Sequence, residues 1–195
     1  MPAPPTKIML IRHAEKPSKP PEKHGEWDVL PNGQPGTGDS LIVRGWQRAG
    51  ALNAFFAPYE GKPANPAISR PDYIYAANPN GPSQRPFETV TPLAAWLNYQ
   101  PNTAQFNTTY EINGEEPQMV ASVLSLSGTV LICWEHDNIM PHVIDAIHAT
   151  VSISNFDAIP NPWPGVFYLV WVLDLKEGSY LWSQENQNLL AGDTV

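Results

Sequence analysis

The chain has 195 residues, 42% of them hydrophobic, which suits one domain over residues 1–195 with a sizeable core. Its formal net charge of −8 disfavours nucleic acid and anionic membrane surfaces as partners, and its apolar runs fall short of the roughly 20 residues that a membrane-spanning helix needs. The single cysteine excludes an internal disulfide, and the first residues lack the basic and apolar segments of a secretory signal, so we expect a cytoplasmic protein.

The first predicted element is a buried strand at 7–12, where four apolar residues follow one another. Residues 17–43 then form a segment rich in proline and glycine, and loops of this length are commonly functional. Because the segment follows the strand end closely, we expect it to border a cleft there and to act as a lid. A helix is predicted at 44–56, where apolar residues recur three or four positions apart.

Strands and helices alternate along the rest of the chain. The predicted elements are a strand at 72–76, a helix at 83–97, a strand at 105–112, a helix at 115–126, a strand at 128–136, a helix at 138–151 and an antiparallel hairpin at 165–175 and 179–185. This alternation predicts the α/β class: a three-layer sandwich with a mostly parallel central sheet and helices on both faces. In such sheets, ligands bind at the carboxyl ends of the strands.

Two of the predicted strands end in the same way. In "IMLIRHAE" and in "VLICWEHD", an apolar run ends in a charged cluster that contains a histidine, His13 in the first and His136 in the second. If both strands are central and parallel, the two histidines emerge on the same edge of the sheet. Arg12 joins them from the first strand, and Arg85 reaches the same edge after the strand at 72–76. The sequence therefore predicts a cleft with two histidines and two arginines.

A cleft of this composition suits phosphoryl transfer. Arginine binds phosphate in a bidentate manner, and a neutral imidazole is a competent nucleophile. Other phosphoryl-transfer motifs are absent from the sequence: there is no Walker A motif, no arginine six residues after Cys133 and no Asp-x-Asp pair. Cys133 and His136 also lack the second pair of ligands that a metal site would need.

These residues resemble the histidine phosphatase superfamily, which includes cofactor-dependent phosphoglycerate mutases and many phosphatases. "LIRHAEKP" is similar to its Arg-His-Gly/Ala-Glu signature, "VRGWQRAGAL" to its Gly-x-x-x-Ala helix and "SQRPFET" to its second-arginine motif. "VLICWEHDNI" resembles the strand that carries the second histidine, and "WPGVFYLVWVLDL" resembles a late strand. The matches occur in order and span residues 7–175.

The resemblance implies a phosphoglycerate mutase-like fold and a phosphatase activity. His13 would be the nucleophile that becomes phosphohistidine during hydrolysis of a phosphate monoester. Arg12, Arg85 and His136 would bind the phosphoryl group. No metal and no cofactor is implied.

The general acid is left open by the resemblance. Some branches of the superfamily use an aspartate directly after the second histidine, where Asp137 stands, and we favour this residue. Other branches use a glutamate well after the second arginine, and Glu111, Glu115 and Glu116 are candidates of that kind.

Neighbours of the two histidines are expected to contact the substrate. These residues are Lys16, Glu15, Asn138 and Glu135. His24, within the long loop, is a secondary candidate for substrate contact. The expected partner is a small phosphorylated substrate or a phosphoprotein, and the sequence predicts no oligomeric state.

Three alternative functions stay open at this stage. A mutase-type phosphotransferase, an isomerase, would use the same residues. A non-catalytic protein could bind a phosphorylated ligand or partner through the same cationic cleft. A metal-dependent hydrolase is disfavoured because the histidines are few and far apart in the sequence.

Overall fold

The structure is a computed structural model, and it describes residues 3–18, 27–99 and 103–193. The strands of the described part are β1 (Lys7–Arg12), β2 (Tyr73–Ala76), β3 (Gln105–Asn107), β4 (Thr129–Trp134), β5 (Leu169–Lys176) and β6 (Ser179–Asn186). The main helices are α1 (Val43–Phe56), α2 (Arg85–Asn98) and α3 (Glu116–Leu124). They are followed by α4 (His136–Asn138), a π-helix (Ile139–Ile144), α5 (Asp145–Thr150) and a 3₁₀ turn (Phe156–Ala158). No helix in these ranges is long and apolar enough to cross a membrane.

All six strands of the described residues belong to one sheet, in the order β3-β2-β4-β1-β5-β6. The first four are parallel, whereas β5 is antiparallel to β1 and to β6. Within the central pair, Lys7 lies opposite Thr129 and Arg12 opposite Trp134, so β1 and β4 run side by side along their whole length. The predicted α/β class with a mostly parallel sheet is confirmed.

Helices cover both faces of the sheet. Ile8 and Leu10 point to the face covered by α3, the π-helix and α5, whereas Met9 and Ile11 point to the face covered by α1 and α2. These four side chains have no solvent exposure, because a central parallel strand is buried on both faces. The chain therefore forms the three-layer sandwich that the sequence predicts.

Two elements differ most from the prediction. The strand predicted at 105–112 ends at Asn107, because the chain then leaves the sheet edge and Tyr110 accepts a hydrogen bond from the backbone of Asn78. The helix predicted at 138–151 begins earlier, at His136, and is divided by the π-helix. Pro141 lies within the π-helix and has no N–H to donate to the preceding turn, which accounts for the wider turn.

The chain makes a sharp turn at each end of the sheet. After β4 the chain turns at Glu135, whose carboxylate accepts a hydrogen bond from the backbone N–H of Asp137 at 2.7 Å and caps the short helix α4. The predicted hairpin of β5 and β6 is confirmed, although its first strand begins at Leu169 and not at residue 165. Glu177 and Gly178 form its tip with positive φ angles of 49° and 86°.

Candidate active site

His13 lies directly after β1, and its backbone N–H donates a hydrogen bond to the carbonyl of Trp134 in β4 at 3.1 Å. Its ring is buried, with 0% exposure. Nδ1 lies 2.7 Å from the carbonyl oxygen of Ala14, which requires a proton on Nδ1 and leaves the lone pair on Nε2. Nε2 is buried and has no hydrogen-bond partner among the described residues.

Burial lowers the pKa of His13 to about 3, and the positive charge of Arg12 acts in the same direction. The hydrogen bond to Ala14 opposes this shift, and the charges of Arg85 and Lys16 add to it. The imidazole is therefore neutral at physiological pH.

The second histidine faces the first across an edge-to-face contact. The ring centroids of His13 and His136 are 5.8 Å apart, at an interplanar angle of 84°. The carboxylate of Glu135 lies between them, with Oε1 2.6 Å from Nδ1 of His136 and 4.0 Å from Nε2 of His13. On the other side of His136, Oδ1 of Asp137 lies 3.4 Å from Nε2. The two strand ends thus meet as predicted.

The charge of Glu135 is stabilised by these neighbours. Burial alone would raise the pKa of Glu135, but the hydrogen bond and charge of His136 and the N–H of Asp137 lower it to about 2. Glu135 is therefore ionised over the physiological range.

Arg12 is buried beside the histidines, with 4% exposure. Its guanidinium lies 4.1 Å above the ring centroid of Phe167, and its Nε is buried with no hydrogen-bond partner in the described part of the chain. Burial lowers the pKa of Arg12 to about 10, against the opposing charges of Glu135 and Asp137, so the group stays cationic at neutral pH. The sequence did not predict Phe167 as a site residue, although its ring lies 6.0 Å from that of His13.

Arg85, the first residue of α2, is held by the loop at 38–40. Its terminal nitrogen donates to the carbonyl of Gly38, its Nε lies 3.4 Å from the carbonyl of Ser40, and the carboxylate of Asp39 is 3.8 Å away. The described part of the predicted lid segment therefore reaches one of the predicted site residues. Its role as a lid stays a prediction.

Two buried carboxylates anchor that loop. Glu88 of α2 accepts hydrogen bonds from the hydroxyl of Ser40 and the backbone N–H of Leu41, both at 2.9 Å. Asp28 accepts from the backbone N–H of Gly38 at 2.8 Å and from that of Ser40 at 3.1 Å. These contacts fix the carbonyls that hold Arg85.

The four predicted substrate contacts divide into two pairs. Lys16 and Glu135 lie within the charged cluster, since the charge of Lys16 acts on His13 and that of Glu135 acts on Lys16. The other two side chains are turned towards other partners. Glu15 pairs with Arg48 at 2.7 Å and with Arg44 at 3.2 Å, and Asn138 donates to Glu116 at 2.8 Å and to Asn113 at 3.0 Å.

Of the four acid candidates, Asp137 is the one placed against a site histidine, and 75% of its side chain is exposed. Glu116 is buried and accepts hydrogen bonds from the backbone of Asn113 and Gly114 and from the side chains of Trp134 and Asn138. Burial raises the pKa of Glu116, but these donors outweigh it and lower the value, which disfavours Glu116 as a proton donor. Glu111 and Glu115 are exposed, and Glu115 accepts from the N–H of Glu111 at 2.8 Å.

One cluster of potential metal ligands was not predicted from the sequence, where Cys133 was considered as the metal partner of His136. Cys133 is buried in β4, and burial raises its pKa. The structure instead brings ligand atoms of His13, Glu135 and His136 within 4.8 Å of one another. The pattern Glu-His directly after a buried strand was the available signal. His24 lies outside the described residues.

No family model and no curated protein sequence matches the chain. Among solved structures, the chain is similar to a crystal structure of SixA from Agrobacterium tumefaciens, a candidate phosphohistidine phosphatase. The sequence identity is 18% and the TM-score is 0.48, over 96% of this chain and 98% of that chain.

Proposed function

We propose that the chain is a phosphatase that hydrolyses a phosphate monoester through a phosphohistidine intermediate on His13. The observation that carries this proposal is the state of the His13 ring. Its Nδ1 proton is committed to the carbonyl of Ala14, and its Nε2 lone pair is unpartnered among the described residues. Three cationic side chains act electrostatically on the ring, and the carboxylate of Glu135 lies 4.0 Å from Nε2. A neutral imidazole held in one tautomer is prepared for nucleophilic attack.

The surrounding cations suit the second requirement of phosphoryl transfer, which is stabilisation of negative charge. Arg12, Arg85 and Lys16 all act electrostatically on His13, and we expect each to contact a phosphoryl group on Nε2 once the substrate is bound. Such groups stabilise the charge on the equatorial oxygens during transfer. We expect these side chains to perform this role without a metal ion.

The proposed reaction has two steps. The Nε2 lone pair of His13 forms a bond to phosphorus while the ester P–O bond breaks, and Asp137 gives its proton to the departing oxygen. A water molecule then attacks the phosphohistidine, Asp137 takes a proton from that water, and the N–P bond breaks. Inorganic phosphate and the free imidazole are regenerated. His136 would donate a hydrogen bond to the transferring group.

Access to Nε2 requires movement of its neighbours, because the ring has no exposed surface. The rings of Phe167 and His136 lie 6.0 Å and 5.8 Å from it. We infer that these two rings move apart slightly when the substrate binds. The substrate itself would be a small phosphorylated molecule or a phosphorylated protein.

The test is turnover of p-nitrophenyl phosphate by the purified chain, with and without EDTA, beside His13→Ala and the control variant His142→Ala. His142 is exposed and lies in the π-helix. We expect activity that EDTA does not change, a loss of about 10³-fold or more in His13→Ala, and full activity in His142→Ala. An acid-labile phosphoenzyme would identify the intermediate.

Two outcomes would contradict the proposal. Full activity in His13→Ala would exclude His13 as the nucleophile. Binding of phosphate or a phosphopeptide, with no turnover of aryl phosphate, phosphoserine or phosphohistidine substrates by the parent, would indicate a non-catalytic phospho-ligand-binding protein.

A further inference from the structure

We propose that His13, Glu135 and His136 also form a binding site for one Zn²⁺ ion, and that this ion blocks the phosphoryl site. Three potential ligand atoms, one from each residue, converge within 4.8 Å of one another. The ring nitrogens that face Glu135 are Nε2 of His13, 4.0 Å from its Oε1, and Nδ1 of His136, 2.6 Å from the same oxygen. The two histidines are more than one hundred residues apart in the chain and are brought together by the parallel pairing of β1 and β4.

The orientation of the two rings favours this assignment. Metal-binding histidines commonly direct their other ring nitrogen to a carbonyl or a carboxylate, which fixes the tautomer. Nδ1 of His13 lies 2.7 Å from the carbonyl of Ala14, and Nε2 of His136 lies 3.4 Å from the carboxylate of Asp137. The lone pair of His13 therefore points towards the space beside Glu135, and Nδ1 of His136 faces the same carboxylate at 2.6 Å.

The inward-facing nitrogen of His13 is also unsatisfied. Nε2 of His13 is buried and has no hydrogen-bond partner among the described residues. Buried polar atoms are normally paired, and an unpaired one calls for an explanation. Nδ1 of His136 lies 2.6 Å from Oε1 of Glu135, a contact that needs a positive charge or a proton between the two atoms. A cation among the three atoms would replace that proton and give Nε2 of His13 a partner.

The ligand set and its spacing suit zinc. Two imidazole nitrogens and one glutamate oxygen are a known zinc combination, with the fourth position left open. Zn–ligand distances of about 2.1 Å place two ligands of one tetrahedral ion about 3.4 Å apart. The separations of 2.6 Å and 4.0 Å from Glu135 to the two histidines lie on either side of this value, so modest side-chain rotations would close the site.

The nearby cations determine what such an ion would do. The positive charges of Arg12, Arg85 and Lys16 disfavour binding of a metal cation, whereas the negative charges of Glu135 and Asp137 favour it. We therefore expect reversible binding. An ion on Nε2 of His13 occupies the lone pair that would attack phosphorus, so zinc should inhibit competitively with substrate. This inhibitory step rests on the proposed phosphatase function, but binding of the ion does not.

The binding test is calorimetric titration of Zn²⁺ into the full chain, freed of metal and of any histidine tag, without substrate. We expect one zinc ion per chain at this site. Glu135→Gln should weaken its affinity by at least tenfold, and the control Glu60→Gln, at an exposed glutamate, should leave it unchanged. Because a glutamine oxygen can still cap α4, Glu135→Gln should fold, and circular dichroism verifies this. Asp137→Asn, which changes only the outer contact to His136, is a second variant that should weaken binding by a smaller factor.

The outcomes separate the two proposals. Absence of zinc binding at 100-fold excess, or equal affinity in Glu135→Gln and the parent, would overturn the metal site whether or not the chain turns over phosphate esters. Binding that raises the apparent KM for p-nitrophenyl phosphate and leaves kcat unchanged supports the blocking role. Binding with loss of kcat and constant KM would overturn the blocking role.

Discussion

The hydroxyl of Thr89 accepts a hydrogen bond from the backbone N–H of Ala14 at 2.8 Å, and the same hydroxyl donates to the carbonyl of Arg85 at 2.7 Å. One side chain of α2 therefore joins the residue after His13 to the first turn of the helix that carries Arg85. Because Ala14 also provides the carbonyl that holds the His13 ring, Thr89 controls the position of the proposed nucleophile relative to a proposed phosphate ligand.

Thr89→Val should lower both kcat and stability. Valine keeps the shape of the side chain but leaves the buried N–H of Ala14 without an acceptor, which costs about 1–3 kcal/mol in unfolding free energy. The displaced strand end should reduce kcat by about tenfold or more. Kinetics with p-nitrophenyl phosphate and urea denaturation measure the two effects.

The matched control is Thr91→Val in the same helix. Its hydroxyl donates to the carbonyl of Phe87 at 2.8 Å, within the helix, and makes no hydrogen bond to the strand end among the described residues. We expect near-parental kcat. A similar loss of kcat in both variants would show that Thr89 acts only through the stability of α2.

The meeting of the two strand ends that carry His13 and His136 could be predicted from the sequence. β1 spans the predicted residues 7–12, because a strand buried on both faces is written as a continuous apolar run, and β4 is of the same kind. Parallel pairing of two such strands then brings His13 and His136 to one edge. Local sequence patterns were sufficient here because β1 and β4 are parallel, so their carboxyl ends lie at the same edge of the sheet.

The parts that could not be predicted depend on contacts between distant segments. Phe167 lies in a loop without regular structure, and nothing in its local sequence indicates that its ring packs on Arg12. Asn138 lies two residues after His136 and was predicted to contact the substrate, but its amide donates a hydrogen bond to Glu116 at the start of α3. Pro141 was a usable signal for the divided helix, since proline cannot donate within a regular turn.

Phe167→Leu should weaken substrate binding. The ring lies over the guanidinium of Arg12, and a cation–π contact of this kind contributes about 0.5–2 kcal/mol. Its loss should let Arg12 leave the orientation in which it faces the site, and KM should rise by about two- to thirtyfold. Steady-state kinetics and the inhibition constant of inorganic phosphate measure the change.

Phe156→Leu provides the comparison for this variant. Phe156 stacks on His148, with ring centroids 4.1 Å apart, near the opposite end of the sheet from the candidate site. We expect its KM to match that of the parent. An unchanged KM in Phe167→Leu would exclude a role of that ring in holding Arg12 for the substrate.

The pH dependence of stability should carry a contribution from His13. Burial and the charge of Arg12 lower its pKa to about 3 in the folded chain, whereas an unfolded histidine has a pKa near 6.5. The unfolded state therefore binds a proton as the pH falls below 6.5 and the folded state does not. The stabilisation is complete above pH 6.5 and is lost progressively as the pH falls towards 3, by about 1.4 kcal/mol per pH unit.

Between pH 5 and 6, His13→Gln should flatten the slope of unfolding free energy against pH by about that amount. In this pH window the contribution of ionised Glu135 to stability is largely retained, because its pKa is lowered and its contribution is lost only at more acidic pH. Urea denaturation at several pH values provides the slope. An identical slope in the parent and in His13→Gln would show that His13 is not buried in its neutral form.

Gly36→Ala should impair the site from a distance. A Cβ atom at Gly36 would lie 2.1 Å from Oδ2 of Asp28, the oxygen that holds the N–H groups of Gly38 and Ser40. The carboxylate must therefore move, and the two carbonyls that hold Arg85 would move with the loop. We expect KM for p-nitrophenyl phosphate to rise by about tenfold, equivalent to about 1.4 kcal/mol, and kcat to change less.

The matched control is Gly50→Ala, in the middle of α1, because a Cβ atom there meets no atom within 4 Å. This variant should leave KM unchanged and add up to about 1 kcal/mol of stability. Equal KM values in Gly36→Ala and Gly50→Ala would show that the loop at 38–40 does not position Arg85 for the substrate.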